Sequence, residues 1–364
     1  MLRLLNRLFN RTKQQTQDTA AQSSAGGNSL DDVKVYTSCK SLQGGITFMH
    51  RAFRMCCSNK IGVVLADNYT GGVIDWQGIA QRRKQIVENC KRGILPENCR
   101  GCVDLETKEW GEHNLIDDIY INHWDHCNCG CVYCIAGSHA LFLETEKKPS
   151  RYYSVYPHLE ELYKNNMVSK NAHIELVGGD LTVLDEAEKI INLCLDYGAG
   201  RMSFHSSCIY YSDGIERALK EAPCVDFDFS LDCGDRELYK RIKRIDAYDN
   251  VIENVKRYLS CSDRAKEFII AKYIIIDGLN DNIEALDKWL DVIISLGITR
   301  AKIDVNFKRF FPECGHSDPS VPKHYYDLYA HFQKRIQEAG IRDCCWEFSK
   351  RVLAEGGIPK GYLN

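Results

Sequence analysis

The sequence predicts an α/β fold in which a partial, TIM-like (βα)6 barrel is preceded by a small cysteine-rich domain. Short apolar runs alternate with longer amphipathic segments, and each gap is long enough for a right-handed crossover, so the strands are expected to be parallel. Functional residues of such barrels lie at the carboxyl ends of the strands. The predicted strands are residues 119–124, 173–177, 202–205, 225–231, 268–276 and 302–307.

Composition restricts the class of protein. The 364 residues are 44% hydrophobic and 27% charged, as in soluble globular proteins. The formal net charge of −3 gives no electrostatic reason to expect nucleic acid as a partner. Two short basic clusters, around Arg83 and Lys243, are expected to be solvated helix faces because acidic residues or a helical pattern surround them.

The chain contains 18 cysteines but shows no secretory signal, since its N-terminus has no continuous apolar core followed by a small-residue cleavage site. It also shows no apolar run approaching the ~18 residues that span a bilayer. We therefore expect free thiols in a reducing compartment, the cytoplasm, with some of them holding metal.

The sequence divides into four segments. Residues 1–28 form a flexible tail, 29–112 the cysteine-rich domain, 113–310 the barrel and 311–364 a C-terminal extension with a helix at about 322–339. The stretch MLRLLNRLFNRTK, residues 1–13, has leucines on one side and basic residues on the other. Such a segment suits an interfacial helix on an anionic membrane or against a partner, and a solvated tail is the alternative.

The most informative segment is CNCGCVYC, residues 127–134, directly after the first predicted barrel strand. Cys127, Cys131 and Cys134 follow the spacing C-x3-C-x2-C, which places three thiolates around one corner of a [4Fe-4S] cluster. Ferredoxin clusters use four cysteines, so three leave one iron open to another ligand. Cys129, in the same loop, is interpreted as a non-ligand.

This loop resembles the cofactor-binding loop of the radical S-adenosylmethionine (SAM) enzymes, including the aromatic Tyr133 that the family places near the adenine. The resemblance covers about residues 35–308. It implies that VGGD after the second strand, with Gly178, Gly179 and Asp180, binds the amino group of SAM. The family motif there is Gly-Gly-Glu, so this chain carries the shorter carboxylate.

Two further strand ends resemble the family. The third strand ends in FHSSC, where Ser206 would bind SAM oxygens, and the fourth ends in SLDCGDRELYKRIKR. The resemblance implies that Ser230 and Asp232 face the SAM ribose. It also implies that Lys243 stands where an arginine is frequent.

The order of the cysteines in residues 29–112 resembles the auxiliary-cluster domains, of the twitch or SPASM-like type, of radical SAM enzymes. It implies a second [4Fe-4S] cluster held by Cys39, Cys57, Cys99 and Cys102, with Cys56 as the alternative to Cys57. The Pro-Trp that commonly follows the first cysteine is absent, and the sequence reads CKSLQGG. A zinc site at the same residues is the rival interpretation.

The resemblance implies an enzyme that reductively cleaves SAM at a [4Fe-4S] cluster to a 5′-deoxyadenosyl radical, which abstracts hydrogen from a substrate. A peptide or carbohydrate substrate and a flavodoxin- or ferredoxin-type reductant are expected by analogy. Two other classes stay open. One is a zinc-binding structural or interaction protein, in which His123 or His126 completes a zinc knuckle with the loop cysteines. The other is an iron–sulfur electron carrier without SAM chemistry.

Overall fold

The structure is a computed structural model. It describes residues 34–49, 52–56, 63–66, 72–100, 102, 104–111, 115–134, 153–306 and 321–345. The predicted basic segment 1–13 and Cys57 lie outside the described residues. In the part of the chain that is described, no helix has the length and apolar character needed to cross a membrane.

A mostly parallel sheet forms the centre of the fold. In chain order the strands of the described residues are β1 Val35–Ser38, β2 Gly45–Met49, β3 Phe53–Arg54, β4 Val64–Ala66, β5 Glu106–Glu109, β6 Ile116–Asn122, β7 Val168–Leu176, β8 Arg201–Ser206, β9 Val225–Ser230, β10 Ile269–Ile275, β11 Arg300–Val305 and β12 Arg342–Asp343. Strands β6 to β11 overlap the six predicted segments and pair in parallel, each with the next. The predicted α/β class with a parallel sheet is confirmed.

Strands outside the predicted six extend this sheet at both edges. β2 pairs in parallel with β6, β3 and β4 follow in antiparallel pairing, and β12 pairs in parallel with β11. β1 and β5 form a separate two-stranded antiparallel sheet. Part of the predicted cysteine-rich domain, residues 29–112, therefore belongs to the barrel sheet. The sheet continues across the domain boundary predicted at residue 112.

Several helices begin where polar side chains cap their free N–H groups. Ser212, Asp235 and Asn282 each accept a hydrogen bond from the backbone N–H three residues on, at 2.9–3.3 Å. The helix predicted at about 322–339 is observed as the last one. In the described residues the helices are α1 Lys40–Gly44, α2 Trp76–Lys91, α3 Tyr156–Lys164, α4 Ala187–Asp196, α5 Asp213–Glu221, α6 Arg236–Lys243, α7 Tyr248–Ser260, α8 Ile283–Ser295 and α9 Lys323–Glu338.

The basic cluster on α2 is not a wholly solvated face. Arg83 is only 8% exposed, and its Nη2 donates to the Gly45 carbonyl at 2.6 Å. Burial lowers the pKa of Arg83 to about 10. The expectation of a solvated helix face is wrong for this residue, because it anchors α2 to the start of β2.

The central strands alternate between an apolar and a polar face, as side chains of a strand must. Every second residue is aliphatic or aromatic and fully buried, as at Ile174, Phe204 and Phe227. The residues between them are mostly polar or charged. We call this second surface the polar face of the sheet, and it carries Glu175, His205, Asp228, Lys272 and Lys302.

Candidate functional site

The loop with the three predicted cluster cysteines follows β6 and packs on the C-terminus of α6. The backbone N–H of Gly130 donates to the Lys243 carbonyl at 2.9 Å, and that of Val132 donates to the Ile242 carbonyl at 3.0 Å. Carbonyls in the last turn of a helix lack intrahelical partners, so the loop satisfies them. The helix ends there because Arg244 adopts a left-handed conformation, with φ of 56°. The loop backbone is thereby fixed against α6.

A buried network of three side chains holds the same loop from inside. The Tyr133 hydroxyl donates to Asp232 Oδ2 at 2.6 Å, and Lys243 Nζ donates to the Tyr133 oxygen at 2.6 Å and to the Asp232 carboxylate. The Lys243 and Asp232 side chains are 1% and 0% exposed. Burial acts to lower the pKa of Lys243, but Asp232 and Tyr133 outweigh it and raise that pKa. The expectation that Lys243 lies on a solvated helix face is therefore wrong.

Asp232 also joins the ends of β9 and β10. Its Oδ1 accepts a hydrogen bond from the Ile274 N–H at 2.8 Å, and Asn280 Nδ2 donates to the carbonyls of both Asp232 and Ile274 at 2.8 Å. Both carboxylate oxygens are thus occupied by protein groups. The expected ribose contacts of Asp232 and of Ser230, which is partly exposed at the end of β9, stay predictions. The assignment of Lys243 to the cofactor site also stays a prediction.

Gly178 and Gly179 bring the end of β7 against the entry to the cysteine loop. A Cβ at Gly178 would lie 2.4 Å from the Trp124 carbonyl oxygen, and one at Gly179 would lie 1.7 Å from that of His126. Gly178 also has φ of 129°, which favours glycine. The Asp180 N–H donates to the His126 carbonyl at 2.9 Å. Packing alone therefore requires both glycines.

The Asp180 carboxylate links β7 to β8. It is 3% exposed and accepts hydrogen bonds from the Thr182 N–H at 2.9 Å, the Ser207 N–H at 2.6 Å and the Ser206 hydroxyl at 3.3 Å. It caps the 3₁₀ turn Leu181–Val183. The structure thus brings Asp180 and Ser206 together at the carboxyl ends of adjacent strands. Contact of either residue with SAM stays a prediction.

The thiols of the loop fit an iron–sulfur cluster. Cys127, Cys131 and Cys134 are partly exposed, whereas Cys129 is buried. The Cys129 thiol donates to its neighbours, which lowers the pKa values of Cys127 and Cys131 and raises its own. Thiolate is the form that binds metal. The lowered pKa values of Cys127 and Cys131 favour the form that binds metal.

Asn128 gives a second, independent indication that the loop fits an iron–sulfur cluster. Its Oδ1 accepts a hydrogen bond from the Ser207 hydroxyl at 3.0 Å, whereas its buried Nδ2 has no hydrogen-bond partner among the described residues. Buried donors are nearly always paired. Cys127 Sγ lies 3.9 Å from the Oδ1 of the same amide. An acceptor bound at Cys127, such as a cluster sulfur, would lie beside this donor.

The zinc-knuckle alternative loses one of its ligands. His123 is fully buried, and its Nε2 lies 2.8 Å from Glu186 Oε1. Glu186 also accepts hydrogen bonds from the Ser154 hydroxyl and the Val155 N–H. Burial acts to raise the pKa of Glu186, but these three partners outweigh it and lower the pKa to about 2. His123 therefore serves to hold the start of α3 to the end of β6, and His126 is exposed. Glu186 itself has no signal in the sequence.

Comparison with known proteins agrees with this geometry. Residues 121–290 match the profile of the Radical SAM superfamily, a segment that begins in β6 and includes both the cysteine loop and the Gly178–Asp180 turn. Residues 121–290 therefore form a Radical SAM domain. Enzymes of this superfamily use a [4Fe-4S] cluster and SAM, and the donors of the loop fit that cluster.

Solved structures of radical SAM proteins are similar to this chain. SuiB of Streptococcus suis, crystallised with its precursor peptide SuiA, has a TM-score of 0.50 and 13% identity, covering 80% of this chain and 59% of SuiB. A radical SAM methyltransferase from Sphaerobacter thermophilus has a TM-score of 0.43 and 16% identity, covering 65% of this chain and 69% of that protein. This chain therefore spans less than two thirds of SuiB. At 13% identity the likeness to SuiB shows the fold alone. No curated protein matches the sequence.

A second group of thiols lies in the N-terminal part of this chain. Cys39 caps α1 by accepting a hydrogen bond from the Leu42 N–H at 3.4 Å, and Cys99 lies in a 3₁₀ turn. Burial, followed by the charges of Cys39, Cys56 and Cys102, raises the pKa of Cys99 to about 12. Burial likewise raises the pKa of Cys39 to about 11. Four cysteines from distant parts of the sequence are therefore neighbours.

Cys56 is the member of the Cys56–Cys57 pair found in this group, and Cys57 is outside the described residues. Among the side chains that the structure describes, no three His, Cys, Asp or Glu residues converge on a single metal ion. The four thiols are close enough to influence one another but do not form a closed single-ion site. Their assignment as cluster ligands stays a prediction.

Proposed function

We propose that Cys127, Cys131 and Cys134 ligate a [4Fe-4S] cluster whose open iron binds SAM, and that the enzyme abstracts hydrogen from a peptide substrate. The loop carries this proposal, because its three partly exposed thiols lie on a backbone fixed by α6 and by the buried Asp232 network. When bound, the cluster would pass one electron to the sulfonium of SAM, which would give methionine and a 5′-deoxyadenosyl radical.

The protein's own residues then orient SAM. Gly178 and Gly179 allow close approach beside the loop, and we assign Asp180 to the SAM amino group. Asp180 accepts hydrogen bonds from four protein donors, the N–H and hydroxyl of Thr182, the Ser206 hydroxyl and the Ser207 N–H, which is about the capacity of an ionised carboxylate. The SAM amino group would therefore take the place of one of the two hydroxyl donors. Ser206 is assigned to SAM oxygens beside it.

On the opposite side of the loop we assign Ser230 to the SAM ribose and the Tyr133 ring to the adenine. Asp232 and Lys243 act from behind, because both are buried and bind Tyr133. They would place the ring rather than contact the nucleoside directly.

A peptide is preferred to a carbohydrate as the substrate. SuiB, which shares the fold, was crystallised with a precursor peptide, and this motivates the choice. A flavodoxin- or ferredoxin-type protein in the cytoplasm would deliver the electron. The neighbouring thiols Cys39, Cys99 and Cys102, with Cys56 or Cys57, are assigned to a second [4Fe-4S] cluster, which would accept an electron from the substrate radical or hold the substrate.

The decisive variant replaces Cys127, Cys131 and Cys134 together by alanine. We expect 5′-deoxyadenosine formation under dithionite to be abolished and about one cluster equivalent of iron to be lost. Cys261→Ala, which removes a partly exposed thiol at the end of α7, is the matched control and should retain both. Cys129→Ala should retain iron. Continued production of 5′-deoxyadenosine by the triple variant would show that the cluster lies elsewhere.

We further propose that residues 1–13 contact an anionic membrane surface. The basic and apolar pattern of this segment supports the assignment. Full-length protein should co-sediment with vesicles containing anionic lipid, and a form beginning at Ser29 should not. Equal sedimentation of the two forms would favour a solvated tail.

A further inference from the structure

A continuous string of ion pairs crosses the polar face of the sheet. His205 Nε2 lies 3.3 Å from Glu175 Oε1, and His205 Nδ1 lies 3.0 Å from Asp228 Oδ2. The same Asp228 oxygen binds the Lys302 ammonium. Burial acts to lower the pKa of His205, but Asp228 and Glu175 outweigh it and raise that pKa. The string thus joins side chains of β7, β8, β9 and β11.

One carboxylate oxygen of Asp228 and the side-chain ammonium of Lys272 have no partner among the described residues. Asp228 is 4% exposed, and its buried Oδ1 has no hydrogen-bond partner among the described residues. The Lys272 ammonium makes no hydrogen bond or ion pair within the described part of the chain. Its charge nevertheless acts on Asp228. Burial acts to raise the pKa of Asp228, but Lys302, His205 and Lys272 outweigh it and lower that pKa.

A purely structural role accounts for only part of this arrangement. His205, Lys302 and one oxygen of Asp228 satisfy one another, and such pairs need no ligand. Lys272, however, is in register with Lys302 on the adjacent strand, and like charges directly opposite each other are unfavourable. An unpaired buried acceptor also costs free energy. A ligand that supplied an anion and a donor would remove both costs.

Lys272 and Asp228 lie close to the proposed SAM site, on strands whose carboxyl ends contribute to that site. Lys272 is in register with Ser230, the last residue of β9. Two residues further on, Asp232 binds Tyr133 of the cysteine loop. The unpaired groups are therefore on the part of the polar face that leads to the carboxyl edge, where barrel enzymes bind their substrates.

We propose that Lys272 and Asp228 form a substrate-binding site, in which Lys272 binds a carboxylate and Asp228 Oδ1 accepts a hydrogen bond from an N–H group. An acidic residue of a peptide offers both groups a few bonds apart, so an aspartyl or glutamyl residue is the class of ligand that fits. This assignment rests on the peptide substrate of the proposed function. A carbohydrate would offer hydroxyl groups and would not require the charge of Lys272.

The test uses the full chain with its cluster reconstituted and SAM present. The probes are N-acetylaspartyl methylamide and its uncharged analogue N-acetylasparaginyl methylamide, with binding followed by ligand-observed NMR. We expect the aspartyl probe to bind at least about tenfold more tightly, because hydrogen bonds between charged groups are roughly twice as strong as neutral ones. A third probe, methylated on the aspartyl nitrogen, should bind less tightly because Asp228 loses its donor.

Variants of Lys272 identify the residue responsible. Lys272→Met should abolish the preference for the aspartyl probe, and Lys272→Arg should retain it. Lys256→Met, on the exposed surface of α7, is the matched control and should behave as the wild type. Since Lys272 has no ion pair to lose among the described residues, Lys272→Met is expected to fold, which its melting temperature checks. Equal binding of the two probes to the wild type would overturn the proposal, as would a preference that survives in Lys272→Met.

A parallel measurement of 5′-deoxyadenosine separates this inference from the function on which it rests. A wild-type enzyme that cleaves SAM but does not distinguish the probes would overturn the binding site and leave the proposed function standing. An enzyme that fails to cleave SAM after reconstitution would overturn the proposed function and this inference with it.

Discussion

The two cysteine groups of this molecule are held in different ways. The loop at residues 127–134 is bonded to two carbonyls of α6 and to the buried Asp232–Lys243 pair. The N-terminal group is carried by short pieces: the cap of the five-residue helix α1, the residue two positions after β3, a three-residue 3₁₀ turn and Cys102. The first group is therefore shaped by the interior of the barrel, and the second by contacts among short segments.

Because the two cysteine groups are held differently, we expect the metal bound by each group to have a different role. Burial and mutual repulsion raise the pKa values of Cys39 and Cys99, so binding a metal must first remove protons from them. When a site is incomplete without its metal, the free energy of metal binding becomes free energy of folding. The N-terminal site is expected to depend on its metal for order, whereas the loop of the barrel keeps its shape without one.

The largest expected effect comes from removing the N-terminal ligands. Cys99 and Cys102 replaced together by alanine should lower iron and sulfide from about two [4Fe-4S] equivalents to about one. Structural metals contribute on the order of 10 kcal/mol to the folding of small cysteine-rich modules. Limited proteolysis should therefore cleave the variant within residues 34–111 while the barrel stays intact.

Two outcomes of that experiment would change the comparison. A wild type that holds one cluster together with zinc would remove the redox role but keep the structural one. A double variant as resistant to protease as the wild type would show that the N-terminal group, like the loop, is organised by protein contacts alone.

Local patterns identified most of the sheet. The six central strands carry buried apolar residues at alternating positions, and β7 begins five residues earlier than predicted because Ser169 to Asn171 are polar and carry no strand period. The pairing of β2 with β6 was beyond such patterns, since it joins segments about 70 residues apart. The alternation of apolar and polar residues along a strand indicates which face of the strand is buried, but it does not indicate which strand pairs with it.

The burial of charged side chains was the feature of the site that we could not predict from the sequence. Lys243 lies in the segment RIKR, which has the composition of a solvated helix face, yet its side chain is 1% exposed. Its burial is possible because Asp232, eleven residues earlier, and Tyr133, from another segment, converge on it. Glu186 and His123 form a second such pair. Tertiary partners of this kind leave no periodic signal in one sequence.

Lys243→Met tests the claim that the barrel interior holds the loop. The variant would leave the Asp232 carboxylate buried without its cation, and losing one partner of a buried pair costs about 3–5 kcal/mol. Urea unfolding should show this loss of stability. Lys288→Met is the matched control, because Lys288 forms an exposed pair with Glu284 one turn away, and such pairs contribute about 0.3–0.5 kcal/mol.

The double variant Asp232→Asn with Lys243→Met sharpens this test. It removes the buried charge along with its partner, so it should recover part of the stability lost in Lys243→Met. A single variant as stable as the wild type would mean that the loop is held by its backbone bonds to α6 alone, and the contrast between the two cysteine groups would become smaller.

The smallest expected effect concerns Asn128. If its unpaired Nδ2 donates to a sulfur of the cluster, Asn128→Leu should lower the midpoint potential of that cluster, because hydrogen bonds to the sulfurs stabilise the reduced form. A tenfold change in the one-electron equilibrium corresponds to about 59 mV, and the expected shift is on this order. Asn192→Leu, on α4, is the matched control and should leave the potential unchanged. The potential is measured by redox titration with and without SAM. A shift seen only with SAM would assign the amide to the SAM carboxylate, and no shift in either state would mean that the cluster does not supply the missing partner of Asn128.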